Sequence, residues 1–193
     1  SNPGSLLEVT TGYAIGQRAF FFLYQIGATQ TLEATTLADQ FQGSLQYDFS
    51  PGNAGIPAEY TNLTYTCMTT ALGTQTSPLN ISSDVYIGTT DGVYVFANSR
   101  LAGMQKVTDA IKDVHQIIVT TTGDTIGLWV MASPSKLYYI AGNHGLPYTF
   151  NEPILFSDSV VHIAPTRSGL SHANELFVVD QTQQVVHYWQ DPN

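Results

Sequence analysis

The sequence predicts an all-β protein made of repeated units, and three observations carry that prediction. Strand pairs joined by a short polar turn recur at 84–96, 128–140 and 176–189. Within them Tyr86, Trp129 and Phe177 hold one repeat position, 43 and 48 residues apart. A further strand precedes two of the pairs, starting at Asp113 and at Asp158, 45 residues apart. A period of about 40–50 residues built from short strands marks a β-propeller or a similar array.

Each element has its own justification. Val93-Tyr-Val-Phe96, Leu137-Tyr-Tyr-Ile140 and Val185-Val-His-Tyr-Trp189 are rich in the β-branched and aromatic residues that pleated surfaces accept. Their apolar character is nearly continuous rather than alternating, which predicts sheets covered on both faces. Asp91-Gly92 suits a two-residue type I′ hairpin, Ser133-Pro-Ser135 a type I turn, and Asp180–Gln183 a longer polar loop. Earlier in the chain, 18–24 with 31–35 reads as a diverged hairpin of the same kind. Phe21 lies 65 residues before Tyr86, too far for one repeat, so an irregular insertion is expected near 43–60, where Pro and Gly cluster. Val107, Ala110, Ile111 and Val114 would share one helical face, but their stretch aligns with Pro153–Ser157, which favours a linker between units. The count is four units in a single domain spanning 1–193. They would form a propeller of about four blades or part of a larger one, with a two-sheet β-sandwich as the alternative.

Composition narrows the function. The chain is acidic, with six Lys and Arg against fifteen Asp and Glu and a net charge of −9. Such a balance repels phosphate backbones, so no nucleic-acid partner is expected. No apolar run reaches the length of a membrane span. Cys67 stands alone, so an intrachain disulfide is excluded, and its strand-like neighbours predict an inert buried thiol. The sequons Asn62-Leu-Thr64 and Asn80-Ile-Ser82 and a surface rich in Thr, Ser, Gln and Asn fit a secreted or extracellular protein. A start at Ser1-Asn-Pro-Gly, without Met, fits a processed protein or a domain of a longer one.

The segments 128–140 and 175–191, Leu-Trp-Val-Met and Leu-Tyr-Tyr-Ile in the first and Leu-Phe-Val-Val-Asp and His-Tyr-Trp-Gln-Asp in the second, resemble lectin propellers of the tectonin and tachylectin kind. The resemblance covers roughly 84–192 and lies in pattern, without a diagnostic motif. Trp-Asp closures, a Kelch double glycine and the sialidase Asp-box are all missing. It implies sugar binding or scaffolding, and no residue role transfers from it.

Chemistry-bearing residues are sparse. No nucleophile motif, phosphate loop or metal-ligand spacing is present, so no enzyme activity, cofactor or metal is expected. His115, His162 and His187 fall within strands and read as structural, while Asp84, Asp113, Asp158 and Asp180 read as turn or strand-edge residues. The residues just past each hairpin carry the functional expectation: Asn98, Asn143 with His144, and Asp191 beside Trp189. An amide or carboxylate next to an aromatic ring suits a sugar, whose C–H groups meet the ring while its hydroxyls meet the polar group. The expected function is therefore a non-catalytic recognition module with a glycan or protein partner, carbohydrate being the first expectation. A structural or protein-interaction domain of a larger secreted protein is the alternative, and a glycoside-active enzyme a third reading.

Overall fold

The computed structural model describes residues 4–14, 17–36, 44–48, 63–72, 83–96, 104–122, 125–143, 148–165 and 175–189. All its regular elements are strands. The first sheet runs in chain order through β1 (Ser5–Ala14), β2 (Gln17–Ile26), β3 (Thr29–Thr36) and β4 (Ser44–Asp48). The second repeats that meander with β5 (Tyr65–Leu72), β6 (Ser83–Thr89), β7 (Val93–Phe96) and β8 (Met104–Thr108). The third contains β9 (Val114–Thr122), β10 (Thr125–Ala132) and β11 (Lys136–Asn143). Its outer edge is divided between β12 (Thr149–Phe150) and β13 (Ile154–Ser157). The fourth is β14 (Val160–Pro165), β15 (Glu175–Asp180) and β16 (Val185–Trp189). Among the described residues no helix is long and apolar enough to cross a membrane.

The three expected hairpins are β6–β7, β10–β11 and β15–β16, and the strands expected before two of them are β9 and β14. The diverged hairpin is β2–β3. Ser44–Asp48 pairs with β3, so the front of the stretch read as an irregular insertion is a strand; 49–62 lies outside the described residues. Lys106–Thr108 closes β8, and Pro153–Ser157 contains β13. Both expected linkers therefore include outer-strand residues, and the connection from the second sheet to the third is the shorter stretch 109–113. The turns also differ from expectation. Thr90-Asp91-Gly92 is a three-residue loop in which Gly92 alone takes a positive φ, so it is not type I′. The Ser133–Pro134 bond is cis and Ser135 has φ 65°, which no type I turn combines.

Backbone geometry repeats more faithfully than sequence. Each sheet's first strand carries an extra residue close to its start, at Leu7, Thr66, His115 and Val161, where pairing with the second strand shifts register. Three residues beyond that bulge, each first strand pairs with the same position of the second: Phe21, Tyr86, Trp129 and Phe177. One backbone hydrogen bond recurs as well. The first turn residue after the second strand donates to the residue just before the first strand: Thr90 to Thr64 at 3.0 Å, Ser133 to Asp113 at 3.0 Å and Gln181 to Ser159 at 2.8 Å. A bulge bends its strand and adds twist, so four copies splay four sheets in the same sense.

Consecutive sheets pack face to face, and three apolar clusters fill the gaps between them. Phe21 and Leu23 of the first sheet meet Val85 and Ile87 of the second. Tyr86, Val93 and Val95 on the opposite face of the second meet Leu128 and Val130 of the third. Trp129 and Met131 on the far side of the third meet Leu176 and Val178 of the fourth. In each gap the odd-or-even alternation of a strand presents one set of side chains forward and the other backward. Gly88 lets the second and third sheets approach, since a Cβ there would lie 2.5 Å from Cys67 Sγ and 2.6 Å from Val114 Cγ1.

Hydrogen bonds between sheets reinforce this stacking. Gln30 grips both backbone groups of Tyr65, accepting from its N–H at 2.7 Å and donating to its carbonyl at 2.9 Å. Thr66 donates to the Val114 carbonyl at 2.6 Å, and Gln116 to that of Ile163 at 2.8 Å. Turns join in: Asp113 N–H reaches the Thr90 carbonyl at 3.0 Å, and Val160 N–H the Ser135 carbonyl at 2.9 Å.

Candidate functional site

Among the described residues, two of the concavities between the sheets carry polar side chains. The first, of about 520 Å³, sits where the first strands of all four sheets converge. Glu8, Thr10, Thr69, His115, Gln116 and His162 supply its polar wall, with Val9, Met68, Ile117, Met131 and Val161 between them. Several of these groups are already engaged in holding the sheets. Gln116 is bound to Ile163, and His115 Nε2 lies 2.7 Å from Ser133 Oγ. Cys67 also reaches this wall, but burial pushes its thiol up to about 11, so little thiolate exists at neutral pH. His115 and His162 are strand residues, as read from sequence, and both are solvent-exposed.

The second concavity, of about 460 Å³, is a groove between the outer edges of the second and third sheets. Lys106, Val107 and Thr108 come from the end of β8, Asp109 and Ala110 from the turn after it, and Phe150, Asn151 and Glu152 from β12 onward. Each side is fixed by local chemistry. Thr108 Oγ1 accepts from Ala110 N–H at 3.1 Å, closing the turn. Phe150 pairs with Gly142, and a Cβ at Gly142 would lie 2.6 Å from its ring, so the bare glycine is what lets the phenyl lie down on β11. Asn151 N–H then bonds the Ala141 carbonyl at 2.8 Å. The two sides are tied by Gln105, which donates to the Tyr148 carbonyl at 3.0 Å, and by Tyr148, whose hydroxyl donates to Asp84 at 2.8 Å. Asp84 is thus a fully buried anchor of this joint, not the turn or edge residue its sequence context suggested.

Charge on the β8 side is organised around Asp91. Lys106 Nζ lies 2.8 Å from its carboxylate and Lys112 Nζ 2.6 Å, and the Tyr94 hydroxyl donates to it at 3.0 Å. The hydrogen bonds from Lys106 and Lys112 hold the Asp91 carboxyl well below the usual carboxylate range. Burial acts to lower the Lys106 ammonium, yet hydrogen bonds to Asp109 and Asp91 outweigh it and raise the group. Burial and then the bond to Asp91 push Tyr94 up to about 12. Lys106 therefore stays charged and held at the groove wall, with Asp109 2.5 Å from its ammonium. The groove offers a fixed cation, two carboxylates, an amide and a half-buried phenyl ring within one concavity.

Of the residues expected from sequence, Asn143 and the backbone of Trp189 are described. Asn143 is exposed at the end of β11, paired with Thr125 and Thr149, and is not among the groove's lining residues. Trp189 ends β16, and only its backbone is described. Asn98, His144, Asp191 and the sequon residues Asn62 and Asn80 lie outside the described residues. The reasoning that sought a ring beside an amide fits Phe150-Asn151, eight positions beyond Asn143 and on the next strand. A signal was available there: Phe150-Asn-Glu152 is an aromatic followed by an amide and a carboxylate, immediately ahead of Pro153. Among the described residues no three His, Cys, Asp or Glu side chains gather as a metal site. A scan of protein-family models finds none that matches this chain, and no curated protein matches it.

Proposed function

We propose that this chain is a non-catalytic recognition module with propeller architecture, four units of a small or larger ring, binding a glycan in the groove between its second and third sheets. The architecture is supported by the four bulges, the thrice-repeated turn bond and the face-to-face order of the sheets. One observation carries the ligand: Phe150, half-buried, shares a groove with Asn151, Glu152, Asp109 and Lys106. An apolar ring face flanked by donors and acceptors matches a sugar, whose C–H face and hydroxyl rim have the same division. Asp109 and Glu152 are both exposed. A glycosidase acid needs an apolar, water-shielded setting, so the pair favours hydroxyl recognition over bond cleavage.

Glycan-array binding by the wild type and by Phe150→Ala and Asn151→Ala tests this. We expect a defined set of glycans to bind and each substitution to weaken binding by about tenfold or more, with the melting temperature unchanged in Asn151→Ala and lowered in Phe150→Ala, whose ring also packs on the core. Retention of that binding by the Phe150→Ala/Asn151→Ala double variant would overturn the groove assignment. Hydrolysis of a bound glycan would replace recognition with catalysis.

A further inference from the structure

The charges lining the groove between the second and third sheets are held in unequal ways, and that inequality decides what charge a ligand can carry. Lys106 supplies the positive charge of the lining. An ammonium offers three N–H groups. Around this one stand the carboxylates of Asp91 at 2.8 Å and Asp109 at 2.5 Å, with the Tyr94 ring centroid at 5.7 Å. Its side chain is 21% exposed, so the ammonium is enclosed by groups of its own protein. Lys112 is engaged in the same way, by the Asp91 carboxylate at 2.6 Å and the Asp91 carbonyl at 2.9 Å. The remaining carboxylates are in the opposite condition. Asp109 turns one oxygen to Lys106, and its side chain is 87% exposed. Glu152, exposed on the facing side, has no hydrogen bond or ion pair among the described residues. Lys106 and Lys112 therefore face Asp91, Asp109 and Glu152, and the unmatched charge is negative and rests on Glu152.

We propose that the groove takes a glycan with a free amino group, an N-deacetylated hexosamine whose ammonium answers Glu152 and the outer oxygen of Asp109 while its ring lies on Phe150. A neutral or N-acetylated sugar leaves Glu152 without a counter-charge. A sialylated, sulfated or uronic sugar sets anion against anion, and Lys106 can meet it only by leaving two carboxylates. The face of the Phe150 ring attracts a cation as well, through its negative quadrupole. This assignment rests on the glycan reading of the same groove and adds the charge that the sugar carries.

Calorimetric titration at about pH 6, where an amine flanked by electron-withdrawing groups is protonated, tests it. The probes are a β-linked glucosamine tetramer, its fully N-acetylated counterpart, a sialylated tetrasaccharide and tetralysine. The wild type should bind the glucosamine tetramer about threefold or more tighter than the N-acetylated one, the size of effect an exposed ion pair produces, and the sialylated sugar most weakly. Glu152→Gln keeps the shape and removes the charge, so the ratio of the first two affinities should fall to about half or less. Equal or tighter binding of the N-acetylated tetramer would overturn the assignment, as would preference for the sialylated sugar or a ratio that Glu152→Gln leaves untouched. Tetralysine binding as tightly as the glucosamine tetramer would also overturn it, by showing that charge alone is recognised. In each of those cases, sugar binding that still needs Phe150 and Asn151 leaves the glycan reading standing. Absence of binding by every sugar overturns both.

Discussion

The second and fourth sheets are built on the same plan and end in opposite states. Tyr86 and Phe177 hold the same position, each pairing with the residue three past a bulge. Tyr86 is sealed against the third sheet, and burial, then the charge of Asp84, raises its hydroxyl well above the tyrosine range. Phe177 faces outward. Nothing in the strand itself distinguishes them. The third sheet lies against Tyr86, so burial here is a property of neighbours as much as of residues.

The largest effect should come from breaking the sealed side of this comparison. Trp129→Ala removes the biggest fully buried side chain among the described residues, which packs on Tyr139 at 4.8 Å and Phe156 at 5.1 Å between ring centroids. It should cost about 3–5 kcal/mol in urea unfolding, against about 1 kcal/mol or less for Phe177→Ala, at a more exposed position. Equal costs would mean the two positions are equally covered. Next comes Gly88→Ala, whose new methyl would press on its own sheet's Cys67 and on Val114 across the second gap. A loss of about 1–3 kcal/mol is expected from that overpacking, measured as a fall in the urea midpoint. A neutral substitution would show that the gap has slack.

The smallest effect concerns the outer edge. Asp91→Asn should cost about 1 kcal/mol at pH 7, a modest figure because the pair is partly exposed and screened. Its sign with pH follows from the folded carboxyl lying below its unfolded value of about 3.9. The stabilisation is complete above that unfolded value and fades as pH falls through the folded one. The difference between wild type and variant should therefore be constant from pH 7 to about 5 and shrink steadily toward pH 2. A gap that stays constant to pH 2 would show that the lysine bonds do not depend on the carboxylate's charge.

Much of the fold was legible because strand chemistry is local. Runs such as Val93–Phe96 and Leu137–Ile140 declare a doubly covered strand through their unbroken apolar character, and both are largely buried. The shared position of Tyr86, Trp129 and Phe177 survived in the structure for the same reason, and Phe21 joined it despite its longer spacing. The site was less legible. Asn143 was chosen as the polar residue after a hairpin, but a strand end does not disclose which edge of its sheet will border a groove. Phe150 and Lys106 lie 44 residues apart and meet only because β8 and β12 are both outer strands of adjacent sheets.

What the amino-acid sequence determined by itself is the strand pattern, the turn positions, the four-unit repeat and the two-faced character of each central strand. These depend on alternation, β-branching and turn residues within a few positions of one another. Tertiary structure alone decided the bulge in every first strand, the burial of Asp84 against Tyr148, the groove beside Phe150 and the fate of each repeated aromatic. All of those depend on which surfaces come together, and a strand carries no local record of what will be placed against its outer face.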